Sequence, residues 1–140
     1  MNRIVIVSGS TKGLGLAISK QLVEHGYVVV GVSRSNSNEF SELMSNHSGF
    51  VFFHAFDFFN TDKISALVKD IVKMHGRPYA LINNAALGHD GVLATMHEKD
   101  IHDLIKVNIE APILLAKYAT RSMLLNRVGR VVNVGSIIGS

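Results

Sequence analysis

Short apolar runs rich in β-branched residues, separated by longer stretches with helical spacing, restrict this 140-residue chain to a narrow set of architectures. Arg3-Ile-Val-Ile-Val7 is apolar without alternation, as expected of a strand buried on both faces. Tyr27 to Val32, Gly49 to Phe56, Tyr79 to Asn83 and Arg130 to Val134 read as further strands. Between them, Gly13 to His25 has Leu14, Ile18 and Leu22 on one helical face, and Gly26 ends it. Ser37 to Asn46 is a short polar helix. Thr61 to His75 carries Ile64, Leu67, Val68, Ile71 and Val72 as a stripe, stopped by Gly76-Arg-Pro78. A long helical region runs from Thr95 to about Arg127, with Thr95-x-x-Glu98 as a capping box. Strands alternating with helices predict an α/β fold of βαβ units with a parallel sheet and right-handed crossovers, for which 3-2-1-4-5 is the usual doubly wound order. The fifth strand is then an edge, and Val131, Val132 and Val134 lie along unpaired backbone.

Length and composition narrow the class further. One domain spanning residues 1–140 is expected. Hydrophobic residues make up 47% and charged residues 18%, too apolar for a disordered chain. The net charge of +3 is scattered rather than gathered in a basic stripe, which argues against nucleic acid. The run of Phe50, Phe52, Phe53, Phe56, Phe58 and Phe59 lacks interleaved basic residues, so it reads as core rather than a base-stacking platform. With no cysteine, disulfides, thiolate metal sites and Cys nucleophiles are excluded. His97 and His102 are spaced one residue too far apart for a zinc-binding H-E-x-x-H. The first apolar run, Ile4 to Val7, is too short for a signal core, and no run approaches the roughly 18 residues of a membrane span. A soluble cytoplasmic protein is expected.

The turn Ser8-Gly9-Ser10-Thr11-Lys12-Gly13-Leu14-Gly15 leaves the first strand and opens the first helix. A helix start presents free N–H groups and partial positive charge, which suit phosphate. Glycines let the backbone approach a diphosphate closely. The spacing G-x-x-x-G-x-G is neither the usual G-x-G-x-x-G nor a P-loop. After the second strand, where NAD-binding folds place an acid on the ribose 2′-hydroxyl, this chain has Ser33 and Arg34. A guanidinium clasps a 2′-phosphate that a carboxylate would repel, and Lys12 supplies a second charge. NADP(H) is the expected cofactor. Pro112, inside the long helix, has no N–H for the Asn108 carbonyl. Such a proline either bends a helix around the core or frees that oxygen for another donor.

In order and spacing these residues resemble the short-chain dehydrogenase/reductases. Ser8-Gly9-xxx-Gly13-x-Gly15 is similar to the family's T-G-x-x-x-G-x-G. Asp57, followed by Phe58, sits where the family's acid meets the adenine amino group. Asn83-Asn84-Ala85-Ala86 resembles N-N-A-G, and Val107-Asn108-Ile109 resembles the segment with the catalytic Asn. Gly129 to Ser136 resembles the strand ending in the catalytic Ser. The resemblance implies a Rossmann-like, doubly wound parallel sheet, truncated after the fifth of the family's seven strands. It implies cofactor contacts along Gly9 to Gly15, at Ser33, Arg34, Asp57, Phe58, Asn84, Ala85, Ala86 and Val107, and catalytic roles for Ser136 and Asn108. The 3-oxoacyl-carrier-protein reductase branch is the nearest, with a small carbonyl or acyl-thioester substrate and pairing of copies through the long helix. The family's Y-x-x-x-K, its proton donor and helper, is missing: Tyr27, Tyr79 and Tyr118 each lack a Lys four residues on, and the chain ends at Ser140. Without that pair Ser136 reads equally as an inert strand-end hydroxyl. The chain is then the cofactor-binding part of a carbonyl reductase, a non-catalytic NADP(H)-binding or interaction module, or an inactive truncated product.

Overall fold

The structure is a computed structural model that describes residues 2–88 and 91–135. Five parallel strands lie in the order β3-β2-β1-β4-β5. They are β1 (Ile4–Ser8), β2 (Val28–Ser33), β3 (Val51–Ala55), β4 (Ala80–Asn83) and β5 (Arg130–Asn133). The helices are α1 (Gly13–Glu24), α2 (Asn38–Asn46), α3 (Ile64–His75), α4 (Glu98–Ile105) and α5 (Ala111–Leu124). Among the described residues no helix is long and apolar enough to cross a membrane.

Alternation along β1 and β2 divides the core. Val5, Val7 and Val29 face α1 and α2, packing with Val23, Phe40 and Leu43. Ile6, Val30 and Val32 face the other way, onto Ile64, Leu67 and Ile71 of α3 and Leu115 and Ala119 of α5. Because both faces are covered, β1 and β2 are apolar at consecutive positions rather than at every second one. Pairing of Ile4 with Val28 and of Val5 with Ala80 sets the register at the centre of the sheet. This is the doubly wound α/β arrangement that the alternating pattern predicts.

Three local expectations need correction. In α1 the buried residues are Gly15, Ser19 and Val23, while Leu14 is 56% exposed. Ile18 and Leu22 pack at the margin of the core as expected, but the fully buried positions include the small Gly15 and Ser19, which let the helix backbone come close to the sheet. The capping box does not form. Thr95 ends a 3-10 turn, Leu93–Thr95, and its hydroxyl donates to the Val92 carbonyl at 3.2 Å. His97 is the N-cap instead, with no side-chain cap bond, and Glu98 and Asp100 put negative charge in the first turn of α4. The long helix is also not uniform. A π turn, Lys106–Glu110, joins α4 to α5, closed by the Ala111 N–H on the Lys106 carbonyl, and Pro112 falls in the first turn of α5. Proline is at ease there because a first-turn N–H is dispensable.

The Phe-rich stretch is only partly core. Phe58 is buried, Phe50 is 39% exposed, and Phe52, Phe53, Phe56 and Phe59 pack at the margins. β3 is the other sheet edge, so its side chains have fewer neighbours. β5 lies at the edge of the sheet, as predicted, and is exposed along its whole length, including Val131 and Val132.

Candidate functional site

A cleft of about 480 Å³ lies beyond the carboxyl ends of the strands, where the strand order reverses between β1 and β4. Such a switch point is where open α/β sheets accept ligands. Its floor is organised by Ser8, the last residue of β1. The Ser8 hydroxyl donates to the Ile82 carbonyl at 3.4 Å and accepts the N–H groups of Asn84 and Ala85, each at 2.9 Å. One buried side chain thus fixes the β4 exit against the β1 exit.

The glycine-rich turn is built by close approach. Gly9 has φ +66°, and a Cβ there would meet the Ala85 Cα at 3.1 Å. A Cβ on Gly15 would stand 1.9 Å from the Gly9 carbonyl oxygen. The Asn84 side chain closes the same corner, donating to that oxygen at 3.1 Å. Ser10 is fully buried behind the turn, and its N–H donates to the Ser33 hydroxyl at 3.0 Å. Thr11 lines the cleft, and its carbonyl accepts the Ser37 hydroxyl that also caps α2. Gly13 and Leu14 form the exposed start of α1. Unlike α2, α1 has no side-chain cap at its start and no acid in its first turn. Its leading N–H groups and positive dipole end are therefore left for an outside acceptor.

Gly9, Thr11, Lys12, Ser33, Arg34, Asp57, Phe58, Asn84, Ala85, Ala86 and Val107 all line this one cleft. Ser10, Gly13, Leu14 and Gly15 lie outside its lining; Gly15, seated against Gly9, sets the turn's shape from behind. Arg34 and Lys12 have no ion-pair partner among the described residues. Asp57 turns its Oδ1 onto the Phe59 N–H at 3.0 Å, shaping the loop after β3. Ser35, Phe59 and Leu87 also line the cleft; Ser35 and Leu87 were not singled out in the sequence, and Phe59 was read there as core. Each neighbours a residue that was singled out, and loop side chains carry no periodicity that reveals their facing.

Asn108 and Asn83 have structural tasks that the sequence did not reveal. The Asn108 carboxamide pairs with both backbone groups of Leu87, accepting its N–H at 2.7 Å and donating to its carbonyl at 2.8 Å. It holds the loop after β4 as a neighbouring strand would. Replacing Asn108 by Ala strips two bonds from Leu87 at an exposed site, a loss of about 1 kcal/mol. Amide hydrogen exchange is expected to accelerate at Leu87 and stay unchanged in β1. Asn83 is buried and donates to the Pro112 carbonyl at 3.2 Å and to Asn133 Oδ1 at 3.0 Å, so it ties β4 to α5 and β5. Its own Oδ1 has no hydrogen-bond partner. Ser136 lies outside the described residues.

The chain is 32% identical to the 3-oxoacyl-(acyl-carrier-protein) reductase FabG of Vibrio cholerae, over 99% of the chain and 56% of that protein. It spans about half the length of the curated relatives it matches. A metagenomic short-chain oxidoreductase solved in complex with NADP superposes with a TM-score of 0.89 at 30% identity, covering 99% of this chain and 64% of the other. A short-chain dehydrogenase from Streptomyces avermitilis shares the fold, with a TM-score of 0.90 at 24% identity, covering 97% of this chain and 50% of the other. The profile of the family described as short chain dehydrogenase matches residues 3–140, and the chain belongs to that family.

Proposed function

We propose that the chain is the cofactor-binding part of an NADPH-dependent carbonyl reductase. The single observation that carries this reading is the uncapped start of α1 beside a turn with no room for a Cβ, opening into a cleft with two cations unpaired among the described residues. That donor set suits a dinucleotide with an extra phosphate. The diphosphate rests on the N–H groups after Lys12. Arg34 and Lys12 meet the 2′-phosphate, Asp57 and Phe58 border the adenine, and Asn84, Ala85, Ala86 and Val107 border the inner ribose. When bound, the nicotinamide ring supplies the hydride. Asn108 holds the loop that would flank that ring, and Ser136 is the proposed donor to the substrate oxygen. The relatives' name for their activity supports an acyl-thioester or other small carbonyl substrate.

Carbonyl reduction also needs an acid for the oxygen. No Tyr in this chain is followed by Lys four residues on, which favours binding without turnover for these 140 residues by themselves. NADPH oxidation with a β-keto thioester is expected at background, while titration of the chain with NADPH saturates. Turnover well above background contradicts the incomplete apparatus, and a titration without saturation sinks the cofactor reading. The exposed Ile105, Ile109 and Ile113, spaced four apart along α4, the π turn and α5, support pairing of copies through that run.

A further inference from the structure

Outside the lining of the cleft, two histidines aim the same ring atom at each other. His54, near the end of the edge strand β3, and His75, the last residue of α3, place their Nε2 atoms 2.8 Å apart. Their rings meet edge to face, with centroids 5.1 Å apart, and the Phe52 ring lies 4.4 Å from His75 on the inner side. Both rings are half-buried, and nothing in the family features described above uses them. Two neutral imidazoles can hold this geometry only if one Nε2 carries a proton and the other offers its lone pair.

We propose that His54 and His75 form a two-imidazole site for a divalent transition-metal ion of the nitrogen-seeking class, such as Zn²⁺. The ion takes the place of the shared proton, which moves to Nδ1 of the same ring so that both ligands are neutral imidazoles. Metal–nitrogen bonds of about 2.0–2.1 Å at a tetrahedral angle put the two nitrogens about 3.3 Å apart. The pair must therefore open by about half an ångström, a small ring movement at a sheet edge. Neutral imidazole is the ligand form. Burial holds both groups below the ordinary histidine value, with the Asp70 carboxylate opposing it at His54 and His54 itself adding to it at His75. The Asp70 charge that favours protonation of His54 equally favours a metal cation. Among the described residues no third His or acid completes a ligand set, so water fills the remaining positions. The bound ion clamps the edge strand β3 to the end of α3.

The test uses the full chain, stripped with a chelator and titrated with ZnCl₂ while long-range ¹H–¹⁵N spectra follow the imidazoles. The Nε2 signals of His54 and His75 are expected to move together and saturate at one equivalent. His54→Gln loses that event, while His25→Gln, whose ring bonds only to its own helix at Gln21, keeps it. Signals of the pair unmoved at excess Zn²⁺, movement of one ring alone, or unchanged binding by folded His54→Gln overturns the proposal. If His54→Gln fails to fold, the wild-type spectra decide alone.

Discussion

Gly15→Ala unfolds about ten degrees below the parent chain and loses its affinity for NADPH. The added methyl has nowhere to go. Its position is 1.9 Å from the Gly9 carbonyl oxygen and 2.6 Å from Asn84 Nδ2. The first is backbone of the turn itself, so α1 must lift off the sheet. Overpacking of this kind costs about 1–3 kcal/mol, and the lift also removes the Ser19 and Val23 contacts beyond it. About 3 kcal/mol corresponds to about ten degrees for a chain of this size. The affinity falls with it because lifting α1 withdraws the N–H groups that face the diphosphate. Gly88→Ala is the control. Among the described residues its Cβ meets nothing within 4 Å, so its melting temperature stays within about two degrees of the parent. Calorimetry and NADPH titration on the two variants read both effects. A Gly15→Ala chain with parental melting temperature would mean that the helix does not press on the turn as described.

Arg34→Asp weakens NADPH binding about a hundredfold and leaves NADH within about threefold. Hydrogen bonds to a charged group contribute about 1.5–3 kcal/mol, and about 2.7 kcal/mol is a hundredfold in dissociation constant. Replacing the guanidinium by a carboxylate removes that attraction and adds repulsion of the 2′-phosphate. NADH has no such phosphate, and an acid at this position is the group that meets a free 2′-hydroxyl. Arg34 is exposed and unpaired among the described residues, so the substitution breaks no structural contact. The ratio of the two dissociation constants is the readout, and an unchanged ratio removes Arg34 from cofactor selection.

Much of the fold was legible. The central strands β1 and β2 announced themselves as unbroken apolar runs, because a strand covered on both faces needs apolar residues at every position. α3 was visible as Ile64, Leu67, Val68 and Ile71, since a helix laid on a sheet by bulky side chains repeats at 3.6 residues. α1 misled for the opposite reason. Ile18, Leu22 and Val23 do pack against the core, but Gly15 and Ser19 are buried with them, and a hydrophobicity pattern cannot register a contact made by the absence of a side chain. Thr95 misled because a local capping signal competed with a 3-10 turn that took its hydroxyl.

For the site, the residues at strand ends were legible because chain order in a βαβ fold brings every strand's carboxyl end to the same rim. That rule assembled Gly9 and Arg34 from one-dimensional information, and the family resemblance added Asp57 and Asn84. It could not reveal that the Asn108 carboxamide spends both its polar atoms on Leu87, or that His54 and His75 face each other across 21 residues of sequence. The parallel sheet, the rim and its charge were thus written in the chain, since they follow from local periodicity and the handedness of crossovers, while the strand order is the usual one of doubly wound sheets. The pairing of particular side chains was decided only by the tertiary structure, because it depends on how closely each helix settles on the sheet and on which polar groups that approach leaves to be satisfied.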